Sequence, residues 1–271
     1  MRKNRRGFLP LLISITFLGC SFNTDQVYFD RAQKAQSEEK YDVAIQEYKR
    51  VIEVDPGSPK ALEAAEKAAF VARTFTEDFT SLIHFLKIIL LRSPNEKVRV
   101  SAQKEIADIY FINLNNYSRA IEEYSRLLPL ISDEPEKIET QLRIAKAYYF
   151  LGQFQQALFE IESTSKLKST EKQKFETLLL KANILTGQKD YDDAAAIFLK
   201  MISEFPQMAK AEKVRVNLAV CYEELKKFDL AIEELVAYGK ETPVEKDFVE
   251  LKVERLKRIK ELQPGAGGMR K

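Results

Sequence analysis

The chain has 271 residues, of which 45% are hydrophobic and 31% charged, a balance typical of a folded protein with a core. Its 43 basic and 41 acidic residues give a formal net charge of only +2, which argues against a nucleic-acid-binding protein with a clustered basic surface. With 9 glycines and 9 prolines, the composition favours helices over β-structure or low-complexity sequence.

The first twenty residues, MRKNRRGFLPLLISITFLGC, combine a basic start, an apolar run from Gly7 to Leu18 and the small residue Gly19. This pattern predicts a secretory signal peptide over residues 1–19. The apolar run is shorter than the roughly 20 residues of a membrane-spanning helix. Removal of the leader takes away four basic residues and leaves 39 basic against 41 acidic, a net charge near −2.

The end of this leader, Phe17-Leu18-Gly19-Cys20, resembles the lipobox of bacterial lipoproteins. The resemblance implies that Cys20 carries acyl chains, which would anchor the protein without a spanning helix, and that residues 20–25 form a lipidated tether. By the same resemblance, Ser21 favours the outer membrane, with the protein facing the periplasm. The alternative is a cysteine that merely follows a signal peptide or a short anchor.

The stretch YDVAIQEYKRVIEVDP, residues 41–56, recurs along the chain. Further copies begin at Phe79, Tyr117, Phe154, Tyr191 and Phe228, spaced 38, 38, 37, 37 and 37 residues apart. A unit repeated at such a period predicts a solenoid of stacked helix pairs, each with a helix A and a helix B. The copies correspond to helix B of six pairs, within a solenoid over residues 26–262.

Small residues mark the places where helices A and B cross. Helix A carries Ala32, Ala145, Ala182 and Ala219, and helix B carries Ala44, Ala120, Ala157, Ala194 and Ala231. In the second and third pairs the helix-A alanine, Ala69 or Ala107, comes one position early, which predicts turns that are one residue longer. Residues 244–262 are predicted to form a helix that caps the last repeat, and the glycine-rich residues 263–271 a flexible tail.

This pattern resembles the tetratricopeptide repeat over residues 25–245, with a period longer than the about 34 residues usual there. The resemblance implies an all-α, right-handed α-solenoid of about six helix pairs with a C-terminal capping helix. It also implies a groove along the A helices that binds a peptide or a partner helix. The matching groove positions are Leu142, Lys146, Tyr149, Leu179, Asn183, Val216, Val220 and Glu223. For each of them the alternative is packing between repeats.

Helix B of the second pair is apolar on its outward face as well, at Phe85, Ile88 and Leu91. A helix that is hydrophobic all round is normally buried, so we expect a protein partner to cover this convex apolar patch. The alternative is that the local frame is twisted and the chain itself buries these residues.

The sequence shows no catalytic or metal-binding constellation. His84 is the single histidine, Cys221 lies among apolar residues, and paired carboxylates such as Glu122/Glu123 and Glu233/Glu234 are interpreted as solvated faces. No nucleotide-binding, zinc-protease or hydrolase motif is present. The sequence therefore predicts a protein that is not an enzyme, with no catalytic residues, metal, cofactor or small-molecule substrate.

Residues 202–235 are similar to outer-membrane assembly lipoproteins of the BamD type and to the related CpoB (YbgF) proteins, in the Phe-Pro ending, two spaced alanines and the helix-A pattern that follows. This resemblance implies a scaffold with protein partners in an envelope complex for outer-membrane protein assembly or the cell wall. Two alternatives stay open: a pilotin-like lipoprotein for a type IV pilus secretin, and a non-catalytic partner subunit of a periplasmic enzyme.

Overall fold

The computed structural model describes residues 24–262. The predicted signal peptide, the lipid on Cys20, nearly all of the predicted tether and the predicted tail 263–271 lie outside the described residues and stay predictions.

The described residues form fourteen α-helices and no β-strand. The helices are α1 (Thr24–Ser37), α2 (Tyr41–Val54), α3 (Pro59–Phe75), α4 (Phe79–Arg92), α5 (Glu96–Asp108), α6 (Tyr117–Leu127), α7 (Glu134–Phe150), α8 (Phe154–Ser163), α9 (Glu171–Gln188), α10 (Tyr191–Glu204), α11 (Pro206–Ala211), α12 (Val214–Glu224), α13 (Phe228–Glu241) and α14 (Lys246–Glu261). A π-helix, Ile109–Asn113, extends α5, and short 3-10 helices cover Leu128–Leu130, Thr164–Lys166 and Pro243–Glu245.

In chain order these helices alternate as six A and six B helices and end in a capping helix, and the predicted all-α solenoid fold class is confirmed. Each predicted aromatic start, from Tyr41 to Phe228, is the first residue of a helix B. The sixth helix A is split into α11 and α12, because Lys213 takes a left-handed conformation with φ of 54°. No helix among residues 24–262 is long and apolar enough to cross a membrane.

The chain divides into two compact units, with the boundary after Leu82. In the first unit, α2 packs against both α1 and α3. Tyr48 is fully buried there, its hydroxyl 3.1 Å from Gln36 Oε1 and its ring edge-on to Phe29 at 5.7 Å. Burial, and secondarily the charge of Glu63, raises the pKa of Tyr48 to about 12, so this phenol stays neutral in the packed core.

In the second unit, each helix from α5 onward packs against the next along the chain, and α7, the helix A of the fourth pair, also contacts α9, the helix A of the fifth pair. The crossing alanines are buried as predicted, for example Ala145, Ala157 and Ala194, each with no exposed surface. Because an alanine leaves room for the facing backbone, these positions set how closely the helices approach.

The A–B turns differ from the prediction in the second and third pairs. Five of the six turns in the described chain contain a residue with positive φ two positions before helix B: Glu39, Asn115, Gly152, Lys189 and Lys226. The turn in the second pair instead begins with extended Thr76, φ −133°. The sequence predicted turns that are one residue longer in the second and third pairs, and that prediction is wrong. Three residues separate the helices in each of these pairs, 76–78 and 114–116, as residues 38–40 do in the first pair. In the third pair the extra residue is absorbed by the π-helix, which adds a residue without breaking the helix.

The predicted convex apolar patch on α4 is only partly exposed. Phe85 is fully buried, Ile88 is half-buried and Leu91 is 83% exposed. Including Phe85 in an exposed patch was therefore wrong. The reason is that α4 buries residues around much of its circumference, with Ile83, Leu86 and Ile89 buried beside Phe85, so the chain itself encloses most of this hydrophobic helix.

The interpretation of the paired carboxylates as solvated faces is wrong for two of them. Glu123 is only 4% exposed, because α5 covers it and Gln103 donates to it. Glu234 accepts a hydrogen bond from Arg215 Nη1 at 2.6 Å. Their neighbours Glu122 and Glu233 are exposed, as expected.

Candidate partner-binding site

A cavity of about 430 Å³ opens between α7 and the start of α9 in the second unit. Its lining comes from the A helices of three consecutive pairs: Phe111, Glu139, Leu142, Arg143, Lys146, Thr170, Lys172, Gln173 and Glu176. This size is within the range of ligand-binding clefts, about 300–1,000 Å³. The cavity therefore lies on the helix-A face, where the sequence predicted a binding groove.

The aromatic wall of the cavity depends on the π-helix that follows α5. Phe111 lies in this π-helix, 5.5 Å from the ring of Tyr117 and 6.1 Å from that of Phe150. Tyr117 and Phe150 in turn stack at 4.8 Å. The guanidinium of Arg143 lies 5.6 Å from the centre of the Phe111 ring, a distance at which cation–π attraction is favourable. The rings fix Phe111, and Phe111 orients Arg143.

The opposite wall is held by the N-terminus of α9. Thr170 accepts from the Gln173 backbone N–H at 3.2 Å, and the Gln173 side chain accepts from the Thr170 backbone N–H at 3.0 Å, a capping box. The Gln173 amide also donates to the carbonyl oxygen of Pro135 at 2.7 Å. This bond joins the start of α9 to the start of α7, so the wall is rigid on both sides.

The charges of the cavity are mixed, with three basic and two acidic residues. Arg143 is 4.0 Å from Glu139 and Lys172 is 3.7 Å from Glu176. Lys146 makes no ion pair within residues 24–262, so its ammonium group is available to a ligand. A cavity with an aromatic ring, an apolar floor and one uncommitted cation suits a peptide segment with both apolar and acidic or polar groups.

Two of the eight predicted groove residues, Leu142 and Lys146, line this cavity, and Leu142 is only 3% exposed and also packs in a buried cluster. Tyr149 instead lies 6.0 Å from Phe154 and packs between repeats. Leu179 and Val216 also pack against buried clusters. These three residues follow the packing alternative.

The remaining three groove residues lie apart from the cavity. Asn183 is half-buried on α9, and Val220 is 44% exposed on α12. Glu223 forms a two-point ion pair with Arg255 of α14, with atom distances of 2.8 and 2.5 Å. Its carboxylate is therefore already neutralised by the capping helix.

Sequence reasoning missed Phe111, Arg143 and Gln173 as site residues. The repeat pattern did not identify Phe111, because the π-helix adds one residue to the third pair and shifts its positions relative to those of the other pairs. The early position of Ala107 was the signal of that shift. Thr170 and Gln173 form a Thr-x-x-Gln pattern that predicts a capping box, and this pattern could have located the start of α9.

The described residues contain no group of His, Cys, Asp and Glu able to hold a metal ion. His84 is exposed and lies 5.5 Å from the Phe85 ring. Cys221 is buried with its sulfur 3.7 Å from Thr186 Oγ1. Burial raises the pKa of the Cys221 thiol, which disfavours the reactive thiolate.

Two family models, both described as tetratricopeptide repeat, match residues 142–209 and 185–252. These matches show tetratricopeptide repeats over residues 142–252, within the helical solenoid fold. No curated protein matches the sequence.

Several solved structures share the fold. RapI in its apo form aligns with a TM-score of 0.57 and 13% identity, over 88% of this chain and 72% of RapI. YrrB, described as a TPR protein with an unusual peptide-binding site, has a TM-score of 0.52 and 14% identity, over 77% and 97%. PilW, described as a widely conserved type IV pilus biogenesis factor, has a TM-score of 0.50 and 14% identity, over 82% and 94%. At these identities the likeness shows the fold alone.

Proposed function

We propose that this protein is a non-enzymatic scaffold that holds a protein partner on its helix-A face and organises an envelope complex from a lipid anchor on Cys20. The complex serves outer-membrane protein assembly or the cell wall, at the periplasmic face of the outer membrane. The observation that carries the proposal is the cavity between α7 and α9, with its rigid walls and its uncommitted Lys146.

Partner binding is supported by the character of the cavity lining. Phe111 offers apolar surface above the buried floor residue Leu142, while Lys146 offers a hydrogen-bond donor. Such mixed surfaces bind extended peptide segments, in which side chains alternate between pockets and solvent. The description of YrrB as a peptide-binding TPR protein shows that this fold accommodates such a site.

The cellular location is supported by the sequence of the leader and by residues 202–235. A signal-peptide pattern that ends at a lipobox-like Cys20, followed by Ser21, fits an outer-membrane lipoprotein. The stretch similar to BamD-type and CpoB-type lipoproteins fits a role in envelope assembly.

A second candidate is a pilotin-like lipoprotein that assembles a type IV pilus secretin. It is favoured by the number of helix pairs, six plus a cap, and by a fold shared with PilW, a type IV pilus biogenesis factor. The two candidates differ in the partner that occupies the helix-A face.

Affinity purification from detergent-solubilised envelopes tests partner binding and distinguishes the candidates. We expect β-barrel assembly proteins or wall synthases to co-purify with the native chain and to be lost with Lys146→Glu. Lys240→Glu, at an exposed position on α13, is the matched control and should retain the partner. A secretin in their place would favour the pilotin, and equal recovery with both variants would contradict binding at the cavity.

Metabolic labelling with an alkyne fatty acid tests the anchor independently. We expect the native chain to be labelled and Cys20→Ala to be unlabelled. Label that persists in Cys20→Ala would contradict the lipid anchor.

A further inference from the structure

A second cavity, of about 240 Å³, lies beside α9 in the second unit. Its lining comes from the 3-10 helix Thr164–Lys166, the segment that leads into α9, α9 itself and the end of α10. It shares no lining residue with the cavity between α7 and α9, and Lys174 and Leu178 lie on the opposite side of α9 from Glu176. The second cavity is smaller than the clefts of about 300–1,000 Å³ that hold drug-sized ligands, so it suits a single small ring.

The walls of the second cavity are held in place by the protein itself. Phe205 in the lining is only 8% exposed, and its ring is edge-on to Phe175 at 5.9 Å. The main-chain N–H of Lys168 donates to the carboxylate of Glu134 at 3.1 Å, which fastens the segment between α8 and α9 to the start of α7. The second cavity is therefore preformed, and a ligand does not have to order its walls.

Three side chains in the lining can only accept hydrogen bonds from a ligand. The Thr164 hydroxyl donates to the carbonyl oxygen of Ile161 at 2.7 Å, and the Thr177 hydroxyl donates to that of Gln173 at 2.7 Å. Each of these hydroxyl groups has used its hydrogen and keeps lone pairs for a ligand. The carboxylate of Glu204 has acceptor oxygens only.

The other polar side chains in the lining can donate hydrogen bonds to a ligand. The hydroxyl groups of Ser165 and Ser169 make no hydrogen bond within residues 24–262, and the ammonium group of Lys174 makes no ion pair there. Lys200 is 3.9 Å from Glu204, beyond hydrogen-bond distance, so its ammonium group can also donate to a ligand. The second cavity therefore offers donors and acceptors in similar number.

The charge of the second cavity is close to neutral. In the lining, Lys174 and Lys200 stand against Glu204. The exposed neighbours of the lining along the sequence are balanced as well, with Lys166 and Lys168 against Glu162 and Glu171. Net charge therefore does not favour an ionic ligand here.

We propose that the second cavity binds one pyranose ring of a neutral saccharide. Each hydroxyl group of a sugar both donates and accepts, as this lining requires, and the C–H face of the ring matches the apolar side chains of Leu178 and Phe205. This site is independent of the proposed partner binding, because other residues form it.

Two other ligand classes fit the lining less well. A phosphate-type oxyanion presents mainly acceptor oxygens, which would face the lone pairs of Thr164, Thr177 and Glu204. A peptide main chain brings one donor and one acceptor per residue, whereas seven of the nine lining residues are polar and surround a space for one small ring. A sugar ring carries enough hydroxyl groups to satisfy such a lining.

Chemical-shift titration of the full chain, in a detergent without sugar groups, tests the class of ligand. The probes are glucose, N-acetylglucosamine, inorganic phosphate and a neutral capped tripeptide. We expect saturable shifts of the amide signals of Ser165, Ser169 and Thr177 with at least one of the two sugars. No saturable shift with either sugar, or tighter binding of phosphate or of the tripeptide at these residues, would overturn the proposal.

Thr177→Val keeps the shape of the side chain and removes its hydroxyl group, so sugar binding should weaken about threefold to tenfold, as for one lost hydrogen bond. Thr186→Val is the matched control. Thr186 lies on the same helix outside the lining, and its hydroxyl likewise donates to a carbonyl four residues earlier, that of Ala182 at 2.9 Å. The control should bind the sugar like the native chain, and equal affinity of the two variants would overturn the proposal.

A second variant blocks the cavity without touching the core. Ser165 is exposed at the edge of the lining, so Ser165→Trp should abolish the sugar-dependent shifts and keep the native melting temperature. Ser118→Trp, at an exposed serine on α6, should bind the sugar like the native chain. Binding that persists in Ser165→Trp would contradict the assigned site.

The two cavities can be tested separately. Lys146→Glu should leave sugar binding unchanged, and a loss would place the sugar in the cavity between α7 and α9 and overturn the proposal. Thr177→Val should retain the envelope partner in affinity purification. Failure of sugar binding would thus leave the proposed partner binding standing, and failure of partner binding would leave the saccharide site standing.

Discussion

Gln103 on α5 donates its side-chain amide to Glu123 on α6 at two points, the main-chain oxygen at 2.9 Å and Oε2 at 2.8 Å. Both side chains are buried, at 3% and 4% exposure. The other carboxylate oxygen of Glu123 accepts from Arg126 at 2.7 Å. A buried charge is tolerated only when it is hydrogen-bonded. Because Glu123 has these hydrogen-bond partners, its buried carboxylate links α6 to α5.

Replacing Glu123 with alanine should destabilise the fold, because the Gln103 amide loses its side-chain acceptor in a buried site. A loss of about 1–3 kcal/mol in the free energy of unfolding is expected from such an unsatisfied group. Urea denaturation measures it. Glu122→Ala, at the exposed neighbouring position, should change the same free energy by less than about 0.5 kcal/mol. Equal effects would contradict the buried arrangement.

The crossing alanines should not tolerate larger side chains. Ala194 on α10 is fully buried where α9 packs on it, so Ala194→Leu should cost about 1–3 kcal/mol through overpacking. Ala196 lies two positions further on the same helix and is exposed. Ala196→Leu should therefore leave the midpoint of thermal unfolding close to that of the native chain, and a similar drop in both variants would argue against this helix packing.

The inner and outer faces of α14 should differ in their effect on stability. Leu256 is 1% exposed in the core of the last repeat, whereas Leu251 is 64% exposed. Leu256→Ala should lower the free energy of unfolding by about 2–5 kcal/mol, as buried leucines generally do. Leu251→Ala should change it by less than about 0.5 kcal/mol. Chemical denaturation of the two variants tests the orientation of the cap, and a reversed order would contradict it.

Cys221 should be unreactive in the folded protein. Burial raises the pKa of its thiol and shields the sulfur from solvent, so little thiolate is accessible. With Cys20→Ala as background, a chromogenic disulfide reagent should leave the native chain unmodified and react with Cys221 once urea unfolds it. Rapid reaction of the native chain would show that α12 opens or that the thiol is exposed.

Much of this fold can be predicted from local sequence. The repeat period, the alanines where helices A and B cross and the aromatic residue that begins each helix B are all features of a single helix pair. The site was harder to predict. Phe111 enters the cavity through a π-helix, and a frame shift of one residue rotates every following side chain by about 100° around a helix. Glu123 looked solvated because its buried partner, Gln103, is 20 residues earlier. The groove residues Tyr149 and Glu223 matched the expected positions, but neighbouring helices already engage them.

Site-specific photo-crosslinking in intact envelopes tests the central claim, that the helix-A face holds a protein partner. A photoreactive amino acid at position 146 should give a discrete crosslink to an envelope protein. The same amino acid at position 233, at an exposed residue on α13 outside the cavity lining, should not. Absence of a crosslink at position 146, or equal crosslinking at both positions, would contradict a scaffold that binds its partner in this cavity.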